Sequence, residues 1–266
     1  MELRHRALEV LRLSDPLAKA QAAMDMHAQA THYTIAAQAP ALPADVQLPG
    51  HPPRPELLHH SAVARRAVST PEGRVILMHA IAHIEFNAIN LALDAIWRFD
   101  GMPAQYYLDW LQVASEEGKH FLLIRNWLQA QGHDYGDFPA HQGLWTMCEK
   151  TKDDITARMA LVPRTLEARG LDATPQLQAK LRQVGTPDAL AAVCILDIIL
   201  REEIGHVAIG NHWFRLLCQV HNLDPQAHYT VLTSKYDAPR ARPPFNIKAR
   251  EAAGFSAQEI AWLEQH

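Results

Sequence analysis

The sequence predicts an all-α chain organised round an antiparallel four-helix bundle, with further helical segments at both ends. Three observations predict it. Apolar residues recur at helical spacing through four long segments, each bounded by capping or turn residues. Glycines mark the connections, at Gly101, Gly132 and Gly185. No stretch alternates with the period of two of a strand, and there is no Gly-rich phosphate loop, no GxSxG and no low-complexity tract.

Each element has its own punctuation. Asp15-Pro16 opens an amphipathic segment to about Gln38, capped by Ser14 or Asp15. "APALPADVQLPGHPPRP" carries too much proline for a helix and reads as an irregular strap. A capping box from Ser69 to Glu72, with Pro71 in the first turn, starts the first long helix, which stops at Gly101 before Pro103. The second runs from about Ala104 to Gln131 and ends at Gly132. The third runs from about Leu144 to Arg169, breaks around Gly170, and resumes after Thr174-Pro175 until Gly185. The fourth begins at Thr186-Pro187 and continues to about His221. A short helix, the loop "APRARPPFN" within residues 237–246 and a last helix capped by Ser256 with Glu259 complete the chain. Three parts follow: a helical extension and strap (1–69), the bundle (70–222), and a C-terminal helical extension packing on it (223–266).

Composition excludes several classes. At 266 residues and 48% hydrophobic, the chain can bury a sizeable core. "MELRHRALEVLRL" mixes charge too freely for a signal peptide, and no run approaches the twenty apolar residues of a span, so a cytoplasmic address without a membrane partner is expected. Cys148, Cys194 and Cys218 form no CxxC pair, which argues against disulfides and a zinc ribbon and for small apolar core residues. A net charge of -4 does not indicate a nucleic-acid partner. The oddity is the count of 16 histidines.

Acids and histidines fall where the helices should be apolar. The first helix has a stripe of Leu77, Met78, Ile81, Ala88, Ile89, Ala92 and Ile96 with Glu85 at its centre, while His79, His83, Asn87, Asn90 and Asp94 lie to the other side. The second stripe, Trp110, Val113, Ala114, Phe121, Ile124 and Leu128, contains Glu117 and His120; the fourth, Val193 to Phe214, contains Glu203 and His206. A buried ionised carboxylate costs several kcal/mol unless a cation compensates it.

ExxH alone is weak evidence in a histidine-rich chain; Glu2/His5 and Glu56/His59 also match and lie outside the long stripes. The register of the whole set is stronger. Gly101 lies midway between Glu85 and Glu117, and Gly185 midway between Glu167 and Glu203. If these glycines turn two antiparallel hairpins, each pair of glutamates sits at one height, roughly 24 to 27 Å from its turn. Two facing hairpins would assemble four carboxylates and two imidazoles in one layer. That donor set suits two iron ions, with two manganese ions as the alternative. Glu117 and Glu203 would bridge, Glu85 and Glu167 would each hold one ion, and His120 and His206 would supply a nitrogen apiece.

The competitor is a metal-free polar network. Glu167 sits to one side of the stripe Cys148, Ile155, Met159, Val162 and Leu166 unless Pro163 resets the phase. Glu149 is too far from Gly185 to share the layer, and Glu116 and Glu202 point about 100 degrees away from their neighbours. Tyr106 and Trp110 read as packing, His79, His83 and His212 as solvated or hydrogen-bonded structural groups, and Arg240 and Arg242 as loop charges.

The E, ExxH, E, ExxH order from about Glu72 to His221 resembles the ferritin-like di-iron carboxylate superfamily. "GRVILMHAIAHIEFNAINLALDAIWRF", "PRTLEARGLDATP" and "RPPFNIKAREAAGF" are similar to a bacterial ferritin-like family of unestablished function, over most of the chain. The spacing is also similar to that of the bacterial tRNA-modifying di-iron hydroxylase. The resemblance implies a ferritin-like bundle with a di-iron site at the six residues named and O2 or peroxide as oxidant.

Three functions remain in view: an oxidoreductase acting on an unidentified substrate with O2 as oxidant, a ferroxidase, metal-handling or dimanganese peroxide-consuming protein, and a non-enzymatic helical scaffold. The terminal extensions favour the first and offer a surface for a homo-oligomer. A modified tRNA stays open as substrate. With no ferredoxin-type cysteine cluster or dinucleotide fingerprint in the sequence, electrons are expected from a separate donor.

Overall fold

The computed structural model describes residues 1–38, 47–59, 66–141 and 143–265; the first part of the strap, residues 39–46, lies outside them. The fold is all-α, a packing of helix on helix, as the sequence predicts, and divides into two compact units, Met1–Trp145 and Thr146–His266.

The first unit is built on a hairpin of α3 (Pro71–Arg98) and α4 (Ala104–Ala130). Gly101 turns it with φ of 70°, the left-handed region where glycine carries no Cβ penalty. The cap of α3 is Thr70, one residue later than expected: its side chain accepts from Gly73 N at 3.1 Å. Two shorter helices, α1 (Leu3–Leu11) and α2 (Pro16–Ala28), pack on this hairpin. Asp15 caps α2 as predicted, but the helix ends ten residues short of Gln38, and a 3-10 turn, Ala30–His32, follows. The fully buried Arg4 of α1 donates to Ile96 O and Trp97 O at 3.2 and 2.7 Å and pairs with Asp100. A guanidinium thus satisfies carbonyls that the end of α3 leaves without intrahelical partners.

This cover explains why α3 is buried almost all round. By length and composition α3 could cross a membrane, a feature the run-length reading missed, yet 72% of its most apolar window is buried inside the fold. Its polar side, His79, His83, Asn87, Asn90 and Asp94, is buried as well.

The second unit is built on a hairpin of α7 (Ala168–Val184) and α8 (Pro187–Val220), turned at Gly185 with φ of 69°. The segment before it departs from expectation. Instead of one helix from Leu144 broken near Gly170, the chain forms α5 (Gly143–Lys150), turns at 151–154, forms α6 (Ile155–Leu161), and widens into a π turn, Val162–Glu167. Arg158 ties the first turn by donating to Cys148 O and Thr151 Oγ1 at 2.7 and 2.9 Å. Pro163 has no N–H to continue an α-helix, and the widened turn absorbs it while the Thr165 hydroxyl donates to Ala160 O at 2.7 Å.

From Ala168 the helix passes Gly170 and Pro175 without a break. Pro175 cannot donate to Leu171 O; Asn246 Nδ2 does so instead, at 3.1 Å. Three further helices, α9 (Pro225–Lys235), α10 (Ile247–Ala252) and α11 (Ala257–Gln265), complete the unit. The capping box of α11 is as predicted: Ser256 N donates to Glu259 Oε2 and Glu259 N to Ser256 Oγ, at 2.7 and 3.2 Å. Cys148 and Cys218 are buried, but Cys194 is exposed and corrects its assignment to the core.

Candidate metal centre

Glu85 faces inward from α3, and Glu117 and His120 from α4; all three are buried, at 3%, 0% and 0% exposure. The i, i+3 spacing of Glu117 and His120 puts both on one side of α4. Each of the three offers a ligand atom, and these atoms lie within 4.8 Å of one another. The hairpin register inferred from Gly101 therefore holds in the first unit. His120 Nδ1 lies 3.2 Å from Glu85 Oε2 and 3.4 Å from Glu117 Oε2, long for charge-assisted bonds.

Glycine has a role beside these residues. A Cβ on Gly118 would meet Ala20 O at 2.8 Å, so its absence lets α2 lie directly on α4 next to Glu117.

Electrostatics disfavour two bare carboxylates here. Burial, then the neighbouring Glu117 carboxylate, push the Glu85 carboxyl up to about 8, with His120 opposing the shift. At neutral pH the group tends to hold its proton, and a cation entering between the two acids would have to displace it.

The second unit contributes the repeat of the motif. Glu203 and His206 are buried on α8, with Glu203 Oε1 3.6 Å from His206 Nδ1. Glu203 Oε2 is buried with no hydrogen-bond partner among the described residues. Glu167, the last residue of the π turn, is 8% exposed. The wider turn rotates the helix after Pro163, which brings the residue inward from the flank of the apolar stripe. Glu149 is half-buried beside Lys152, at 3.9 Å, and Glu116 is half-buried and accepts from Gln112 Nε2 at 3.1 Å; neither is buried like the six.

Sequence reasoning missed a second buried polar layer. Lys19 of α2 is fully buried, donating to Asn90 Oδ1 at 2.6 Å and Gly50 O at 3.0 Å, over the Phe86 ring at 5.0 Å. Burial pulls its ammonium down to about 7. His79 and His83, both lowered to about 4 by burial, stack on Tyr135; His79 Nε2 accepts from Gly136 N at 2.9 Å, and His83 Nδ1 shares a proton with the Tyr135 hydroxyl at 2.9 Å. A signal existed: the polar stripe His79, His83, Asn87, Asn90 and Asp94 contains no Lys, Arg or Glu, the side chains a solvated face normally carries. His212, by contrast, is exposed.

Over residues 12–261 the chain matches the family described as "Protein of unknown function (DUF455)". It is similar to an uncharacterized protein of Haemophilus influenzae, 51% identical over 220 residues that cover 80% of this chain and 75% of the relative. No solved structure matches it. With a family match over nearly its whole length and a relative of this identity, the chain belongs to the DUF455 family.

Proposed function

We propose that the protein is a ferritin-like di-iron carboxylate oxidoreductase in which the two motif glutamate–histidine pairs and two further glutamates hold the ions. In this reading Glu203 joins Glu85, Glu117 and His120, and Glu167 and His206 complete the set. The observation that carries it is the first: three buried ligand-type side chains of the α3/α4 hairpin with ligand atoms within 4.8 Å. The donors fit the ions. Four carboxylates neutralise two divalent cations, and carboxylate with imidazole suits iron or manganese. The buried Glu203 Oε2, with no hydrogen-bond partner among the described residues, is also what a ligand awaiting a cation looks like.

A bound iron pair would supply the electrons that reduce O2 or peroxide. The chain's own residues do the rest. Glu85, Glu117 and His120 fix half of the donor geometry from two rigid helices, and the buried side chains round them exclude water. The Glu85 carboxyl holds a proton that leaves as a cation enters.

The same donor set would also serve a ferroxidase or metal-handling protein, the second reading. Elemental analysis of protein purified without added metal tests the centre. About two irons per chain are expected, falling to near zero in Glu203→Ala and in Glu85→Gln. Metal-free protein, with both variants as stable as the parent, overturns the proposal and leaves a scaffold with a polar core. O2 consumption that needs only ferrous iron would identify a ferroxidase; consumption that needs an organic substrate would identify an oxygenase.

A further inference from the structure

The second unit holds buried polar groups outside the carboxylate and histidine set. Arg164, in the middle of the π turn, is 4% exposed, and its guanidinium lies over the rings of Phe255, Tyr229 and Phe214 at 4.7, 5.2 and 5.3 Å. Nη1 donates to Asn211 Oδ1 and Nη2 to Glu259 Oε1, both at 2.5 Å. Arg164 Nε and Gln226 Nε2 are buried with no hydrogen-bond partner among the described residues. Both residues line one cavity of about 10 Å³, walled also by Tyr229, Arg250, Trp262 and Ala241, the last from the loop between Arg240 and Arg242. That volume admits about one water-sized guest.

The guest must accept hydrogen bonds, because the unused groups are N–H donors. Several acceptors nearby already carry a donor. Glu259 Oε1 takes Arg164, and Oε2 takes Ser256 N and Arg215 Nη2. The Thr165 hydroxyl donates to Ala160 O and leaves its oxygen to the Tyr229 hydroxyl, and Asp172 takes Arg250. A water would have two hydrogens to place, with lone pairs left for them on Glu259 Oε1 and the Tyr229 hydroxyl, whereas an anion has none to place and brings the charge that the arginines lack. Charge points the same way: among the described residues the guanidiniums of Arg164, Arg215 and Arg250 pair with the carboxylates of Glu259 and Asp172, an excess of one positive charge.

We propose that this cavity is a binding site for one small monovalent anion of halide size, held by Arg164 Nε and Gln226 Nε2. The anion cancels the excess charge and ties the π turn to α9 and α11. It stands independently of the metal centre, since none of the six metal-layer residues lines the cavity.

Crystals grown in sodium bromide and measured at the bromine edge give the direct test, with thermal unfolding in sodium chloride and sodium gluconate at equal ionic strength beside it. An anomalous peak in the cavity is expected, with a Tm a few degrees higher in chloride, as for any ligand that binds only the folded state. Gln226→Glu, which puts a carboxylate at the guest's position, should abolish both the peak and the salt difference. Gln226→Leu, which removes a donor without adding charge, should do the same if the first variant folds poorly. A solvent peak with no anomalous signal overturns the proposal. So does a bromide peak with an unchanged salt response in both variants, which marks an adventitious ion only.

Discussion

Gly210→Ala tests how α8 meets the π turn that carries Glu167. A Cβ built on Gly210 lies 2.5 Å from both Cβ and Cγ of Pro163. Carbon atoms in contact sit about 3.5 to 4.0 Å apart, so at least an ångström of overlap has to be relieved. The proline ring cannot rotate away, and the backbone of the π turn or of α8 must shift. Overpacking of this kind costs roughly 1–3 kcal/mol, from which the helix preference of alanine returns up to about 1 kcal/mol. A net loss of about 1–2 kcal/mol lowers Tm by roughly 2–8 °C in a chain of this size. Gly205→Ala is the internal control, on the same helix five residues earlier, where an added Cβ meets nothing within 4 Å. There only the propensity gain remains, and Tm should rise by about 2–4 °C. Calorimetry of the two variants beside the parent gives the signs. Equal shifts, or a Gly210→Ala protein as stable as the parent, would show that α8 and the π turn are not in contact at this point.

Two further outcomes follow from single side chains, Asn246 being also the cap of α10, with its Oδ1 accepting from Ala249 N at 3.3 Å. Asn246→Ala removes the donor to Leu171 O and should destabilise by about 1–2 kcal/mol in denaturant titration, and the loss should shrink in a Pro175→Ala background, where the helix supplies its own N–H; additive effects would refute the coupling. Burial, which outweighs the opposing charges of Asp137 and Asp134, holds His79 at about 4, below its ordinary value near 6.5. The unfolded chain therefore binds the proton more readily between those values, so this stability is complete above about pH 6.5 and is lost as pH falls towards 4, by up to about 3 kcal/mol. Melting curves from pH 7 to 4.5 should fall less steeply in His79→Gln; parallel curves would refute the assignment.

The helices that announced themselves were those whose ends have local chemistry. Thr70-Pro71, Asp15-Pro16 and the Ser256 to Glu259 box carry their capping partners within three residues, so the sequence contains the whole interaction. The break assigned to Gly170 failed for the opposite reason. Pro175 is tolerated inside α7 because Asn246, seventy-one positions after it, supplies the donor it lacks, and nothing local reveals that. The π turn was legible only as a doubt about Pro163, since a widened turn has no composition of its own. In the first unit the pairing of Glu85 with Glu117 and His120 was readable because hairpin register reduces to counting residues from a glycine. The polar layer round Lys19 was not, because α2 reaches α3 and α4 by tertiary packing that the intervening residues do not encode.

The two polar layers of α3 illustrate two ways a core tolerates such groups. On one side Lys19, His79 and His83 are shifted towards their neutral forms and bonded to carbonyls, an amide and a phenol; His79 Nδ1 and Asn90 Nδ2 are left without a hydrogen-bond partner among the described residues, but no two carboxylates meet there. On the other side Glu85 and Glu117 share one imidazole at distances too long for strong bonds, and the Glu117 carboxylate adds to the cost of ionising Glu85. A fold that needed only polar glue had the first solution available on the same helix. The second arrangement makes physical sense as a place where positive charge arrives from outside the chain.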